Sequence, residues 1–397
     1  SFFIGPLVRK QVGRTCGRMR FGPSLTSTLT DQRRYKTYSH QIRTSTKCTM
    51  TISDTALGKE PKGQALLDGL DVYSVPATGD HHPLTVYGIN SDNLNQSSNN
   101  LRPILLLHGR TWSSVPVYHL LGGPLQKQQG QESRSLMEAF FHNGLQPYAM
   151  DFRAFGGTPP DATNAVEPLR CVADVETVLH WIADRHRITS FSTNQNQNET
   201  KQGEMPVLLG WSQGALVAQL VAQKPSPPLS KLILYGSIYD PLVRYPRDPL
   251  YTTQPVQDDQ LPFINTIDMA MEDFTIEGTI NMETAIKFGE AAMISDPIKA
   301  RWKHLYQFNN CDPARIHVPT LVVAGDQDPY APLHIQQELF CNLGRGSDRT
   351  WSILADSDHA LHILDGRARF ANIVTSFAMN GKRSELEESA YHDTPGV

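Results

Sequence analysis

Of all stretches in this chain, Gly210-Trp211-Ser212-Gln213-Gly214 most constrains what it can fold into. The run before it, Val207-Leu208-Leu209, has the solid apolar character of a buried strand. After it, Leu216, Val217, Leu220 and Val221 recur at helical spacing. A G-x-S-x-G set between strand and helix describes a nucleophile elbow, a turn tight enough to hold the serine in strained backbone geometry with Oγ clear of the sheet. Glycine at both ends removes the Cβ atoms that would collide there. The helix that follows points its positive end at the same place.

A serine hydroxyl is a poor nucleophile near neutral pH, so it needs a base, and the base needs a third group to orient it. Two downstream segments offer these groups. Gly325-Asp326-Gln327-Asp328-Pro329 follows one apolar run, and Asp356-Ser357-Asp358-His359-Ala360 follows the next. For the acid, Asp326 and Asp240 compete with Asp328; for the base, His362 competes with His359. His362, three residues on, is expected on a helix and in a packing role.

Along the chain, Leu70–Val75 and Leu84–Gly88 read as short strands joined around Gly79-Asp80, an antiparallel lead-in to a larger sheet. Pro103–Leu107 is apolar throughout, as expected of a strand covered on both faces. It ends in His108-Gly109-Arg110-Thr111-Trp112. A helix is expected over Ser135–His142, stopped by Asn143-Gly144. Pro147–Asp151 is the next strand, and Glu167–Arg185 an amphipathic helix with Val172, Val175, Val178, Leu179 and Ile182 on one face. Ser190–Glu204 is a low-complexity Asn/Gln/Thr insertion. Lys231–Gly236, Pro319–Gly325 and Trp351–Ala355 read as further strands, Arg367–Met379 as a last helix. Strands alternating with helices imply a mostly parallel sheet flanked by helices, with ligands beyond the carboxyl ends of the strands. Ser212, Asp328 and His359 all fall just past such ends.

These residues together resemble the α/β-hydrolase superfamily across about residues 65–380. The resemblance rests on His108-Gly109, Asp151-Phe-Arg-Ala-Phe-Gly-Gly157, the Gly210–Gly214 elbow, Gly325–Asp328 and the Asp358-His359 segment. It implies an α/β-hydrolase fold in which Ser212 is the nucleophile, Asp328 the acid and His359 the base. By position, the backbone N–H groups of Arg110 and Gln213 would form the oxyanion hole. His108, Gly109, Thr111, Trp112 and Trp211 are placed around the substrate pocket, with His108 read as a turn residue rather than an acid–base group. Ala154 departs from the glycine common at its place in relatives, which bears on loop shape. Residues 241–315 break the alternation where relatives carry a helical cap; its Met and aromatic residues read first as core, second as a flexible apolar lining. The expected organisation is thus a segment 1–64, a core in two parts (65–240 and 316–380), the cap between them and a polar tail, 381–397.

A serine at the elbow separates the chain from haloalkane dehalogenases and epoxide hydrolases, which use aspartate there. His-Gly-Arg-Thr-Trp differs from the His-Gly-Gly-Pro-Gly of proline iminopeptidases. The expectation is a cofactor-independent ester hydrolase on a small or medium acyl substrate. Aminopeptidase, thioesterase and carbon–carbon hydrolase chemistry on the same triad are alternatives, as is a non-catalytic receptor.

Composition narrows the partners. Residues 1–50 carry ten Lys and Arg against a single acid, Asp31, so the chain's net charge of −4 leaves an acidic body. An acidic body argues against nucleic-acid binding. The basic, Ser/Thr-rich, acid-poor start reads like an organellar transit peptide, mitochondrial or plastid; an unstructured basic tail, or upstream sequence ahead of a start at Met50, with a cytoplasmic protein, is the alternative. No apolar run approaches the ~20 residues of a membrane helix. Five widely spaced cysteines form neither a disulfide framework nor a zinc pattern, and no metal site or phosphate loop is expected.

Overall fold

Eight strands form in the order the sequence implies: β1 (Leu70–Pro76), β2 (Pro83–Ile89), β3 (Arg102–Leu107), β4 (Leu145–Met150), β5 (Val207–Trp211), β6 (Lys231–Tyr235), β7 (Thr320–Gly325) and β8 (Arg349–Leu354). The computed structural model describes residues 64–90, 101–188, 205–240 and 262–380. The basic segment, the Asn/Gln-rich insertion, residues 241–261 of the expected cap and the C-terminal tail lie outside the described residues.

The strands join one sheet in the order β1-β2-β4-β3-β5-β6-β7-β8. β1 and β2 form the antiparallel lead-in, β2 pairs antiparallel with β4, and every later pairing is parallel. Side chains alternate across the sheet. On β3, Leu105 and Leu107 enter one core while Ile104 and Leu106 enter the other; on β6, Leu232 and Leu234 oppose Ile233 and Tyr235. That double burial explains why the central strands are apolar at every position.

Nine α-helices are described: α1 (Ser114–Tyr118), α2 (Pro124–Gln128), α3 (Leu136–His142), α4 (Pro168–Arg185), α5 (Gln213–Ala222), α6 (Ile267–Met271), α7 (Met282–Ser295), α8 (Leu333–Asn342) and α9 (Arg367–Met379). The apolar face of α4 packs with α5 on one side of the sheet, whereas α1, α3 and α9 cover the other. Ser135 caps α3, accepting the Glu138 N–H at 3.0 Å. All ten residues of α5 are buried, so the helix behind Ser212 is held from every side.

The segment between β6 and β7 carries α6, α7 and two 3-10 turns, Leu305–Asn310 and Pro313–Arg315. Its apolar residues divide. Phe288 and Trp302 are buried, whereas Phe263 and Met282 are exposed. His362 sits among turns before α9 rather than on a helix, which corrects its expected placement.

Candidate active site

Ser212 lies between β5 and α5 with φ 56° and ψ −121°, the strained turn that the elbow motif demands. A Cβ on Gly210 would come within 2.5 Å of the Gly214 carbonyl, and one on Gly214 within 2.3 Å of the His108 carbonyl. Both contacts are with backbone, so neither position has room for a side chain. The Ser212 N–H donates to the Tyr235 carbonyl at 3.0 Å, which ties the elbow to the end of β6.

Gly109 lies directly against the serine. A Cβ there would stand 3.2 Å from Ser212 Cβ and 3.3 Å from the Trp211 ring. The His-Gly-Arg loop thereby approaches Ser212, and the Arg110 carbonyl is pinned by Trp302 Nε1 at 3.1 Å. Gln213 opens α5, so its N–H has no intrahelical acceptor and belongs to the helix's positive end.

Asp328 is buried just past β7. One of its oxygens accepts His359 Nδ1–H at 2.7 Å; the other accepts the N–H groups of Tyr330 and Ala331 at 2.8 and 2.9 Å. Asp326, its rival, is exposed and accepts the Ser357 N–H at 3.2 Å. Burial alone would raise the Asp328 pKa, but the His359 charge and these hydrogen bonds outweigh it, and the net shift is downward. Burial likewise disfavours the charged form of His359. The Asp328 charge and hydrogen bond, with smaller contributions from Asp273 and Asp358, win, and its pKa rises above 6.5.

Two donors hold the backbone of His359. Trp211 Nε1 and Tyr235 Oη both donate to the His359 carbonyl, at 2.9 and 2.6 Å. Because the Tyr235 hydroxyl proton is used there, its oxygen accepts from His362 Nδ1 at 3.2 Å. Burial pushes the His362 pKa down to about 3, so this ring is neutral. His362 therefore packs and positions, as expected. A Cβ on Gly236 would meet the His359 ring at 3.1 Å, and Tyr330 stands edge-on to the same ring with centroids 5.1 Å apart. The imidazole is thus lodged among Trp211, Gly236 and Tyr330. Ser212 Oγ makes no hydrogen bond to a described residue, His359 included. Catalytic hydrogen bonds are commonly long until substrate is bound.

The expected pocket residues fall into different places. His108 is fully buried beneath the loop, in keeping with a turn residue. Its Nε2 accepts the Phe152 N–H at 3.1 Å, its Nδ1 bonds the Gly109 carbonyl at 2.9 Å, and Phe152 and Phe155 flank the ring at 4.6 Å each. Burial lowers its pKa to about 3, so it is a neutral strut beneath the loop. Trp211 stands with its ring against His359 and His362. Thr111 is half-buried, and Trp112 packs edge-on to Phe288 while donating Nε1–H to Asp273 at 3.0 Å.

The Asp151 loop supports this arrangement. Asp151 is buried and accepts from Ser114 N, Tyr87 Oη and Gly157 N, and burial raises its pKa to about 7. Asp296 accepts from Ser113 N, Ser113 Oγ and Gly156 N, so the segment between β6 and β7 is fastened to the loops after β3 and β4. Ala154 adopts φ 64°, the left-handed conformation that favours glycine. Tyr235, Tyr330 and Asp273 were missed from the sequence, because each reads there as an ordinary strand, loop or helix-end residue.

Among the described residues, no group of three His, Cys, Asp or Glu is placed to hold a metal ion, and no helix is long and apolar enough to cross a membrane. Two solved structures share the fold. The thioesterase domain from the curacin biosynthetic pathway superposes with a TM-score of 0.50 at 15% identity, over 77% of this chain and 99% of its own. A thermophilic esterase from Thermogutta terrifontis gives 0.51 at 13% identity, over 77% of this chain and 97% of its own. No curated protein matches in sequence. Residues 104–373, more than half of the chain, match the model described as the Alpha/beta hydrolase family. That span runs from the strand before His108 to beyond His359 and takes in the elbow and Asp328; the chain belongs to the α/β-hydrolase family.

Proposed function

We propose that this protein is a serine hydrolase that cleaves a carboxylic ester of a small or medium acyl group. The observation that carries the reading is the 2.7 Å hydrogen bond from His359 Nδ1 to a buried, ionised Asp328, lodged against the backbone that strains Ser212. With Nδ1–H committed to Asp328, the lone pair of His359 sits on Nε2, the atom that takes the Ser212 proton. Ser212 Oγ attacks the carbonyl carbon, and the oxygen's developing charge is met by the N–H groups of Gln213 and Arg110. Each such donor is worth about 3–4 kcal/mol of barrier. His359 returns the proton to the leaving alcohol, then activates water to release the acid from the acyl-enzyme.

The test is a panel of p-nitrophenyl esters of rising chain length beside acyl-CoA and aminoacyl amides, with Ser212→Ala as control. The variant is expected to keep the wild-type melting temperature and lose ester turnover. Retention of more than a few per cent of the wild-type rate overturns the reading. A serine-directed fluorophosphonate that fails to label Ser212 stoichiometrically points to a receptor instead.

A further inference from the structure

The carboxylates around the site that are at least half-buried are well satisfied, with one exception. Asp328, Asp151 and Asp296 each accept three hydrogen bonds from protein donors. Asp358 also accepts three, from Ala360 N, Thr275 N and Thr275 Oγ1. Asp273 is half-buried, yet accepts only the Trp112 Nε1–H, on one oxygen. Its other oxygen has no hydrogen-bond partner among the described residues. A partly desolvated carboxylate with a single neutral donor is under-compensated and favours a cation beside it.

Its position follows from its neighbours. Residues 273–275 bridge two sides of the site: Asp273 is bonded to Trp112 of the loop after β3, and Thr275 to Asp358, next to the base. The charges of Asp273 and His359 couple. Lys299 also couples to it, but lies over the Phe263 ring at 5.3 Å rather than in an ion pair with Asp273. Burial raises the Asp273 pKa to about 6, so the group is charged at neutral pH and answers to what is placed next to it.

We propose that Asp273 is a specificity-determining residue that receives a positively charged, hydrogen-bond-donating group, an ammonium, on the acyl substrate, through the oxygen that Trp112 leaves open. This rests on the serine-hydrolase reading of the same site and names its substrate class. An ammonium would supply the charge that Trp112 does not, and Trp112 would hold the carboxylate in place through its first oxygen.

The experiment compares p-nitrophenyl esters that differ only in NH3+ for CH3: β-alanine against butanoate, and ε-aminohexanoate against heptanoate. In the wild type, the amino ester of at least one pair is expected to have the higher kcat/KM. Asp273→Asn should cut that amino-to-alkyl ratio by about tenfold or more, the worth of a hydrogen bond to a charged group. In the wild type alone, the preference should fall as salt is raised, a readout independent of whether the variant folds. Equal ratios in wild type and variant, or a wild-type ratio unmoved by salt, overturn the inference while neutral-ester turnover leaves the hydrolase reading standing. Equal loss on both members of each pair, with the pH–rate profile displaced, also overturns it, because Asp273 would then act only on His359. Turnover of no ester at all overturns both.

Discussion

Asp328→Asn tests the site at the bond that carries the proposed function. One Asp328 oxygen is fixed by two backbone N–H donors, Tyr330 and Ala331, and the other faces His359 Nδ1. An asparagine amide has a single acceptor oxygen. Turning its NH2 toward the two N–H donors would forfeit two buried hydrogen bonds, about 1–3 kcal/mol each. The oxygen therefore stays with them, and the NH2 faces Nδ1. His359 can then accept there only as the tautomer protonated on Nε2, which presents Ser212 with a proton instead of a lone pair. Trapping a triad histidine in the wrong tautomer lowers kcat by about 10⁴, or roughly 5.5 kcal/mol of barrier. The assay is p-nitrophenyl ester turnover beside a thermal melt, with kcat falling by about four decades while the fold persists. A folded variant that retains a tenth or more of wild-type kcat would refute both the tautomer argument and the role of Asp328.

Other outcomes follow from the same structure. As the proposed base, His359 must be neutral to act, and its pKa is raised above 6.5, so kcat/KM should climb through a limb centred above 6.5. A limb centred below that value, measured on a neutral ester, would contradict the balance between burial and Asp328. For stability, Asp328 is shifted below 3.8: its contribution is present above that value and should be lost as pH falls through the lowered pKa, visible in melts from pH 5 downward. Gly214→Ala would normally add helix propensity, but its Cβ would meet two backbone carbonyls, of His108 at 2.3 Å and Leu107 at 2.7 Å; we expect a loss of about 3 kcal/mol or more in urea melts instead. Arg153 pairs with buried Asp174 at 2.8 Å, so Arg153→Met should cost about 3–5 kcal/mol, whereas removing the charge of its exposed partner, Asp80→Asn, should cost about 1 kcal/mol or less.

What could be read from the chain alone was whatever a local pattern carries. Apolar runs bounded by turn residues located all eight strands, because central strands buried on both faces leave an uninterrupted signature. The elbow was legible because its two glycines answer to backbone contacts within the same five residues or to the strand beside them. α1 was invisible for the opposite reason: with five residues, a proline among them and every side chain buried, it has no polar face to set a period. The role of His108 was not legible, because a residue just past a strand end can serve a site or a turn. What decides its role is the Phe152 N–H, 44 positions away, which claims one ring nitrogen.

The same distinction separates the residues proposed to react from those that hold them. Ser212, Asp328 and His359 each stand beside a strand end, so topology alone gathers them. Their supports are chosen by contacts that no spacing announces. Tyr235 reaches the His359 carbonyl across 124 positions, and Trp112 reaches Asp273 across 161. In sequence Tyr235 is only the last apolar residue of a strand, and Asp273 only an acid after a short helix. Their meaning arises from one physical demand: a base whose imidazole must hold one tautomer and one orientation needs its backbone fixed as firmly as its ring. Here the ring is fixed by Asp328 and the backbone by Trp211 and Tyr235, so the elbow, the end of β6 and the base loop form one hydrogen-bonded unit. Loss of any one of these links should therefore disturb the geometry at Ser212 before it disturbs the fold.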